Sequence, residues 1–252
     1  LQKIMQVIQI CKKITIKKLR IQTKNYDDTI KFTNYAKKSY AWIPWNTFHW
    51  SITFKNSTYK KTPSTKWFTK WIVVINRLPT IQYLLGVVET NDQETLTKNM
   101  VMAMLVKNYT LFYRDNSKTH PSIPEYTDYT AIDDPRFFQK YVWAWAEKTL
   151  KKWPFALKIT KNEIITYDNK IIILPYFNCS AGFTFNAQNK RWRQDTPYLQ
   201  TVYDFGNCWS FNGHGVWLSW LWSELLAKKW FDYKEILQYY FRDIKFHKKN
   251  KS

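Results

Sequence analysis

Glycine is the residue that this sequence lacks most clearly, with only 5 in 252 residues. The usual share of glycine is about 7%, and glycine is the residue that adopts a positive φ without steric cost. Tryptophan shows the opposite bias, with 14 copies. Together the two types reach about the ordinary glycine share alone. The composition therefore suggests that tryptophan stands at positions where a protein of this kind would carry glycine.

Cysteine is also scarce, since the chain has only Cys11, Cys179 and Cys208 and no C-x-x-C pair. The absence of that spacing argues against a zinc ribbon. A Cys179–Cys208 disulfide, with Cys11 left free, is expected if the compartment is oxidising. The alternative is a zinc site at Cys179, Cys208 and His214, for which His120 is the candidate fourth ligand. The cofactor prediction is none.

Long apolar runs are missing as well. No run approaches the roughly 20 residues of a membrane-spanning helix, and the opening LQKIMQVIQICKK is too short and too interrupted for the core of a signal peptide. Because the chain begins with leucine, we expect an export signal or anchor outside it.

Positive charge is abundant, with 39 basic and 19 acidic residues and a net charge of +20. A protein this basic is attracted to polyanions such as nucleic acid, anionic lipid or acidic wall polymers. The lysines are dispersed, and no nucleic-acid-binding motif is recognisable. We therefore expect no nucleic-acid partner, and interpret the charge as suited to anionic polymers or lipids outside the cell.

Hydrophobic periodicity predicts strands through most of residues 1–80, including WIVVINRLP at 71–79. A long helix is predicted after Asp92, its expected N-cap, with Leu96, Met100 and Met104 at helical spacing. No internal repeat or low-complexity linker interrupts the chain.

Further along, Asp134-Pro135 predicts a short helix, and Asp168-Asn169 predicts a turn between two strands. Asp232 and Glu235 form a capping-box pattern, which predicts a helix within Phe231–Phe246. Strands, helix, strands and helix in this order predict an α+β fold.

Four stretches in series resemble one family. They are INRLPTIQYLLGVVE (Ile75–Glu89), MAMLVKNY (Met102–Tyr109), YFNCSAGFTFNAQNKRWRQDTPYLQTVYD (Tyr176–Asp204) and GHGVWLSWLWSELLAKKWFDYKEILQYYF (Gly213–Phe241). In this order they resemble the sporulation stage II protein D family, also called the LytB or amidase-enhancer domain. Its members act on bacterial peptidoglycan.

The resemblance covers roughly 200 residues, with weaker agreement back to about residue 45. It implies a strand-rich segment at 1–44, a catalytic domain at 45–246 and a basic tail at 247–252. It also implies mixed sheets, with the long central helix and the C-terminal helix around a substrate cleft, in a protein of the cell envelope or the exterior.

Tryptophan occupies glycine positions of the family pattern at Trp217, Trp222 and Trp230, and near such positions at Trp143 and Trp145. Some bacteria read the codon UGA as glycine, and another variant code reads it as tryptophan. Our hypothesis is that a gene of the first kind has been translated with the second code. It would explain the glycine deficit and the tryptophan excess together.

The resemblance implies cleavage of glycan strands by a lytic transglycosylase reaction, with Glu89 as the catalytic residue. Glu89 follows Val88 directly where the family has two intervening residues, yet it keeps the family's separation of 20 from the helix-end tyrosine, Tyr109. We interpret this as a two-residue deletion. Glu94 is the fallback, although a carboxylate there would also complement the helix dipole.

One carboxylate suffices for such a reaction, because the C6 hydroxyl of the sugar is the nucleophile and is tethered beside the bond that breaks. Glu89, kept protonated in a partly apolar cleft, would protonate the glycosidic oxygen and then accept the hydroxyl proton. The product would carry a 1,6-anhydro-muramic end.

The predicted substrate-binding residues all match motifs of the family. They are Tyr176, Ser180, Gly182, Gly213, His214, Gly215, Ser219, Lys107 and Tyr109. Ala181 and Phe183 depart from the pattern of the Tyr176–Gly182 loop. In Gly213-His214-Gly215 the glycines would let the backbone pass close to a ligand and present the imidazole.

The expected partners are peptidoglycan glycan strands and a cell-wall amidase. The alternative function, suggested by the family's other name, is a non-catalytic wall-binding module that enhances such an amidase.

Overall fold

A computed structural model describes residues 4–12, 19–23, 29–34, 47–49, 51–57, 71–115, 131–132, 138–141, 149–187, 196–205, 208 and 212–248. Side chains are described from Arg77 onward within these ranges, Ile132 excepted. The chain divides into two compact units, one formed by residues 1–88 and 117–149 and the other by 89–116 and 150–252. The boundaries at 44 and 246 stay predictions.

The first unit is built on a four-stranded sheet in the order β5-β6-β1-β7. Strand β1 (Ile4–Lys12) and strand β5 (Ser51–Ser57) both pair antiparallel with the apolar strand β6 (Trp71–Pro79). Strand β7 (Ala131–Ile132) runs parallel to β1. This sheet confirms the strand prediction at WIVVINRLP.

A second sheet of the same unit contains β2 (Leu19–Thr23), β3 (Thr29–Asn34) and β4 (Thr47–His49), paired antiparallel in this order. Helix α1 (Thr80–Gly86) follows β6.

Close packing explains the glycine that ends α1. A Cβ at Gly86 would lie 2.2 Å from Cε2 of Tyr141, a distance that no real side chain tolerates. The Tyr141 ring stacks on that of Tyr83 at 5.5 Å, and the Tyr83 hydroxyl donates to the side-chain oxygen of Gln139. Position 86 therefore requires glycine, because the Tyr141 ring occupies the space that a side chain would need.

The second unit is organised around α2 (Leu96–Asp115), which confirms the predicted long helix. The elements that contact it include α3 (Lys152–Ile159), β8 (Glu163–Tyr167), α4 (Trp220–Lys228) and α5 (Tyr233–Tyr240). Because it is covered on several sides, α2 buries polar as well as apolar residues. The Asn108 side chain illustrates this, since it accepts from the backbone N–H of Ile165 and donates to its carbonyl.

Short strands complete this unit. Strand β8 lies between β9 (Lys170–Ile171) and β14 (Lys245–Lys248). Strand β10 (Tyr176–Phe177) runs parallel to β13 (Leu218–Ser219), and β11 (Gly182–Phe183) is antiparallel to β12 (Tyr203–Asp204). The fold is α+β, as predicted.

Two local predictions are confirmed in detail. Asp168 and Asn169 connect β8 to β9 with φ of 49° and 58°, the left-handed pair that a tight hairpin turn requires. Asp232 accepts from the backbone N–H groups of Lys234 and Glu235, and the Glu235 side chain accepts from the N–H of Asp232. This is the predicted capping box.

The predicted N-cap of the long helix is wrong. Asp92 does not cap α2; its carboxylate instead accepts from the backbone N–H groups of Lys151 and Lys152 at the start of α3, a helix that the sequence analysis did not predict. The C-terminal helix lies within Phe231–Phe246 as predicted; it ends at Tyr240, because Phe241 is extended, and the chain continues as β14.

The short helix predicted at Asp134-Pro135 lies outside the described residues, as do Trp143, Trp145 and His120. Within the described part of the chain, no helix combines the length and apolar character needed to cross a membrane.

Candidate functional site

Glu89 begins the second unit, in the segment between α1 and α2, and is half-buried. Its backbone carbonyl oxygen accepts a hydrogen bond from the indole Nε1 of Trp220, at 2.8 Å. Trp220 is the first residue of α4 and directly follows β13. The segment that carries the predicted acid is therefore attached to the β13–α4 connection.

The β13–α4 connection is in turn attached to the Tyr-Phe-Asn-Cys strand. Tyr176 of β10 pairs with Leu218 of β13 in a parallel ladder, and the backbone N–H of Leu221 donates to the carbonyl of Asn178 at 3.2 Å. Three stretches that are far apart in the sequence are thus joined by hydrogen bonds: the Glu89 segment, β10 and β13. The predicted cleft between them stays a prediction.

His214 is held by backbone groups on both sides of its ring. The N–H of Val216 donates to Nδ1 at 3.2 Å, so Nε2 carries the proton and donates to the Tyr176 carbonyl at 3.0 Å. Burial lowers the pKa of His214, against the hydrogen bond to the Tyr176 carbonyl, which acts to raise it. The imidazole is neutral in this arrangement and ties the Gly213–Val216 turn to β10.

The two glycines beside His214 are required by the backbone. Gly213 and Gly215 have φ of 112° and 72°, values that other residues adopt only with strain. A Cβ at Gly213 would also lie 2.9 Å from Cβ of Phe177. The close approach of this turn to β10 therefore depends on glycine, whereas the predicted approach of the turn to a ligand stays a prediction.

Two of the tryptophans at family glycine positions also have left-handed backbones. Trp217 has a φ of 84° and Trp230 a φ of 70°, a region that a bulky residue rarely occupies. Trp230 lies just beyond α4, where its N–H donates to the Ala227 carbonyl and that of Phe231 to the Leu226 carbonyl. This is a Schellman motif with Trp230 at the position that usually carries glycine. Both conformations favour the glycine hypothesis at these two positions.

Ser180 and Gly182 lie in the loop that follows β10. The fully buried Ser180 hydroxyl donates to Oδ1 of Asp204 at 2.7 Å, and the hydroxyl of Tyr240 donates to Oδ2 at 2.8 Å. Burial and the Asp204 carboxylate raise the pKa of Tyr240. The three side chains join the Ser180 loop, β12 and α5. Gly182 has a φ of 103° and open space around its α-carbon, so its backbone conformation favours glycine.

Cys179 and Cys208 form a disulfide, with 6.1 Å between their α-carbons. A zinc ion at these positions would need thiolates, which the disulfide consumes. Both nitrogens of the third proposed ligand, His214, are engaged with the backbone. Among the described residues, no cluster of three or more histidine, cysteine or acidic side chains is arranged to hold a metal.

A buried cluster of charged residues lies beside Trp220, and the sequence analysis missed it. The Lys98 ammonium donates to the Trp220 carbonyl and to the Ser223 hydroxyl, and lies 4.5 Å from the centre of the Trp220 ring. Burial lowers the pKa of Lys98 to about 7, although Glu94 and Glu224 act to raise it. The sequence around Lys98 does not indicate that this lysine is buried, because lysine is common on the exposed faces of helices.

The acids of this cluster organise the start of α2. Glu224 accepts from the backbone N–H and the hydroxyl of Thr95, whose Oγ accepts from the N–H of Lys98. Thr95 is therefore the residue that caps α2. Glu94 precedes the helix rather than lying in its first turn, and its Oε2 accepts from the Thr90 hydroxyl. Glu94 is buried, with an Oε1 that has no hydrogen-bond partner among the described groups.

The remaining predicted site residues, Ser219, Lys107 and Tyr109, make contacts that stabilise the fold. Ser219 is fully buried and caps α4 by accepting from the N–H of Trp222. Lys107 donates to the Thr160 carbonyl at the end of α3, and Tyr109 packs against Tyr113. Lys107 is nine residues beyond Lys98, or about 13 Å along the helix axis. The structure thus does not bring Lys107 and Tyr109 to the Trp220 end of α2.

Fold and site together define a class: a disulfide-bonded α+β domain with an acidic residue ahead of a long helix and a Gly-His-Gly turn bonded to a short strand. Two curated proteins are similar to this chain, both named stage II sporulation protein D, from Bacillus subtilis (strain 168) and Bacillus amyloliquefaciens. Each is 28% identical over 137 residues, which are 51% of this chain. The resemblance to the stage II sporulation protein D family is thereby confirmed.

The similar region spans 39% of the length of each of these relatives, well under half. No protein-family model matches the chain.

Proposed function

We propose that this chain cleaves peptidoglycan glycan strands by a lytic transglycosylase reaction, with Glu89 as the catalytic acid and base. The proposal is supported by the similarity to stage II sporulation protein D and, above all, by one hydrogen bond. The Trp220 indole fixes the backbone of Glu89 at 2.8 Å and so ties it to the elements that carry His214 and Tyr176. Holding a catalytic group in place is a large part of such catalysis.

The reaction needs one carboxyl group and no water. Glu89 donates its proton to the glycosidic oxygen as the bond between C1 and that oxygen breaks. The C6 hydroxyl of the same muramic residue then attacks C1, and the Glu89 carboxylate accepts the hydroxyl proton. The carboxyl group is regenerated, one glycan end is released with a free hydroxyl, and the other closes as a 1,6-anhydro ring.

The other predicted residues have supporting roles in this proposal. His214, through its bonds to Tyr176 and Val216, holds the Gly213–Gly215 turn beside β10. Backbone groups of that turn and of the Ser180–Gly182 loop would bind sugar hydroxyl and acetamido groups. A disulfide persists in oxidising compartments, which supports a location in the cell envelope or outside the cell.

The test is a digest of purified peptidoglycan analysed by mass spectrometry. The wild-type chain should release 1,6-anhydro-muropeptides, and Glu89→Gln should lower the rate by roughly 10²- to 10⁴-fold, the usual contribution of general acid–base catalysis. Glu235→Gln is the matched control, because glutamine also completes a capping box. Undiminished release by Glu89→Gln would contradict the assignment. Wall binding and amidase stimulation without any cleavage by wild type would favour the amidase-enhancer alternative.

A further inference from the structure

The two-stranded ribbon of β11 and β12 carries a row of aromatic rings on one face. Phe183 pairs directly with Tyr203, and directly opposed residues of an antiparallel pair share a face. Phe185 and Phe205 follow two residues later on each segment and project to the same side. We call Phe183, Phe185, Tyr203 and Phe205 the aromatic face.

Ring geometry and burial confirm this arrangement. The rings of Phe183 and Phe185 are 5.3 Å apart, and those of Tyr203 and Phe205 are stacked at 6.2 Å with 9° between their planes. Thr184 and Asp204, on the opposite face, are fully buried. The aromatic face is instead turned to solvent: Tyr203 is 73% exposed, Phe205 57% and Phe183 40%.

The aromatic face adjoins the candidate site. The backbone N–H of Phe185 donates to the Gly215 carbonyl at 2.8 Å. Phe185 also forms an isolated parallel β-bridge with Val216. The ribbon is therefore hydrogen-bonded to the turn that carries His214. The Tyr239 hydroxyl donates to the Tyr203 backbone carbonyl, which attaches β12 to α5. A ligand extending from the His214 turn would meet these rings next.

The geometry points to the aromatic face as a binding surface for a linear glycan strand, which stacks the apolar faces of its sugar rings on these side chains. This inference rests on the proposed function. Sugars have apolar C–H faces and a polar rim, which suits exposed rings whose edges remain in water. A row of rings also suits a linear polymer, which needs contacts along its length.

A protein partner fits less well. At 150–250 Å² for a whole aromatic side chain, the exposed parts of the three most exposed rings amount to roughly 350 Å². A stable protein–protein interface buries about 800 Å² on each partner. The aromatic face is therefore too small for such an interface by itself.

The test measures binding of soluble N-acetylglucosamine oligomers and of purified glycan strands to the full chain, in the Glu89→Gln background so that the strands stay intact. Tyr203→Ala and Phe205→Ala should each raise Kd roughly tenfold, because each removes one stacking partner. Tyr203→Phe should restore binding, since it keeps the ring. Phe155→Ala is the matched control, an aromatic ring 50% exposed on α3, and should leave Kd unchanged.

The outcomes separate this inference from the proposed function. If glycan is cleaved by the wild-type chain and bound equally by the Tyr203→Ala/Phe205→Ala double variant, the inference is wrong and the proposed function stands. If the wild-type chain neither binds nor cleaves glycan, both fail. If the double variant binds glycan normally but changes the oligomeric state in sedimentation, the aromatic face is a contact between copies and the inference is again overturned. Circular dichroism confirms that each variant is folded.

Discussion

Trp220 donates its indole N–H to the backbone carbonyl of Glu89, across 131 positions of sequence. The same ring covers the ammonium of Lys98, which donates in turn to the Trp220 carbonyl. The residue proposed as the catalytic acid is thus positioned by a contact between the start of α4 and the segment before α2. Its backbone position therefore depends on the Trp220 indole.

Replacing Trp220 by phenylalanine tests this positioning. Trp220→Phe keeps a ring over Lys98 but removes the N–H, leaving the Glu89 carbonyl without this donor. Losing one such hydrogen bond costs about 1–3 kcal/mol, so we expect kcat for glycan cleavage to fall by roughly 5- to 150-fold with KM little changed. A merely structural role would lower the melting temperature and leave kcat per folded molecule intact, and that result would contradict the prediction. Phe155→Ala serves as the control.

Replacing Trp230 by glycine should stabilise the protein. The left-handed backbone costs an L-residue about 1–2 kcal/mol, and this side chain is 95% exposed, so little burial is lost with it. After the entropy cost of glycine, we expect a gain of about 0.5–1 kcal/mol in chemical denaturation. Trp230→Ala is the control, since it keeps the Cβ and hence the strain. A loss of stability in Trp230→Gly would contradict the interpretation of the Schellman motif.

The codon hypothesis has a test of its own. If UGA is read as glycine in the source organism, peptide mass spectrometry of the protein purified from that organism should find glycine at 217 and 230. Both residues have positive φ, 84° and 70°, which is why they are the positions to examine first. UGG codons at all 14 tryptophans would refute the hypothesis.

Reducing the disulfide should destabilise the second unit. Cys179 and Cys208 are 29 residues apart, and closing a loop of that length stabilises a fold by about 3–4 kcal/mol in the chain-entropy view. We expect Cys179→Ser and Cys208→Ser to lower stability equally, and dithiothreitol to have no further effect on either. Cys11→Ser should be near neutral and still sensitive to dithiothreitol. An unchanged melting temperature on reduction would contradict this prediction.

Lys98 should make stability depend on pH above neutrality. Its pKa is about 7 in the folded chain against an ordinary 10.5, mainly because of burial. Between these values the unfolded chain binds a proton that the folded chain does not, so stability rises with pH across that window. The groups that act on it are Glu94, Glu224 and Asp204. Lys98→Met should remove this slope, measured as the difference between variant and wild type in urea unfolding from pH 7 to 9.

Short-range signals allowed several features to be predicted from the sequence. The Asp168-Asn169 turn and the Asp232–Glu235 capping box each depend on residues within four positions of one another. The long helix was also predictable, because apolar residues recur at its spacing over many turns. The resemblance supplied the order of these elements and the candidate acid.

The cap of α2 and the burial of Lys98 could not be predicted from the sequence, because both depend on long-range contacts. Asp92 looks like the N-cap of α2, yet its carboxylate binds the start of α3, about 60 residues later. The true cap, Thr95, is itself held by Glu224 at a separation of 129 residues. Lys98 looks like a solvent-exposed helix lysine in the sequence, but Trp220 and Ser223 bury it in the fold. Propensity and spacing carry no information about partners so far along the chain.

The parallel ladder between Tyr176 and Leu218 has a consequence for how the molecule reaches its native state. Pairings between distant segments form slowly, because a long loop must close before any contact stabilises it. A nascent chain that has not yet supplied residues 218–224 has neither partner for β10 nor the tryptophan that fastens Glu89. The glycan-cleaving competence proposed here would therefore arise late in folding, after the long helix has formed.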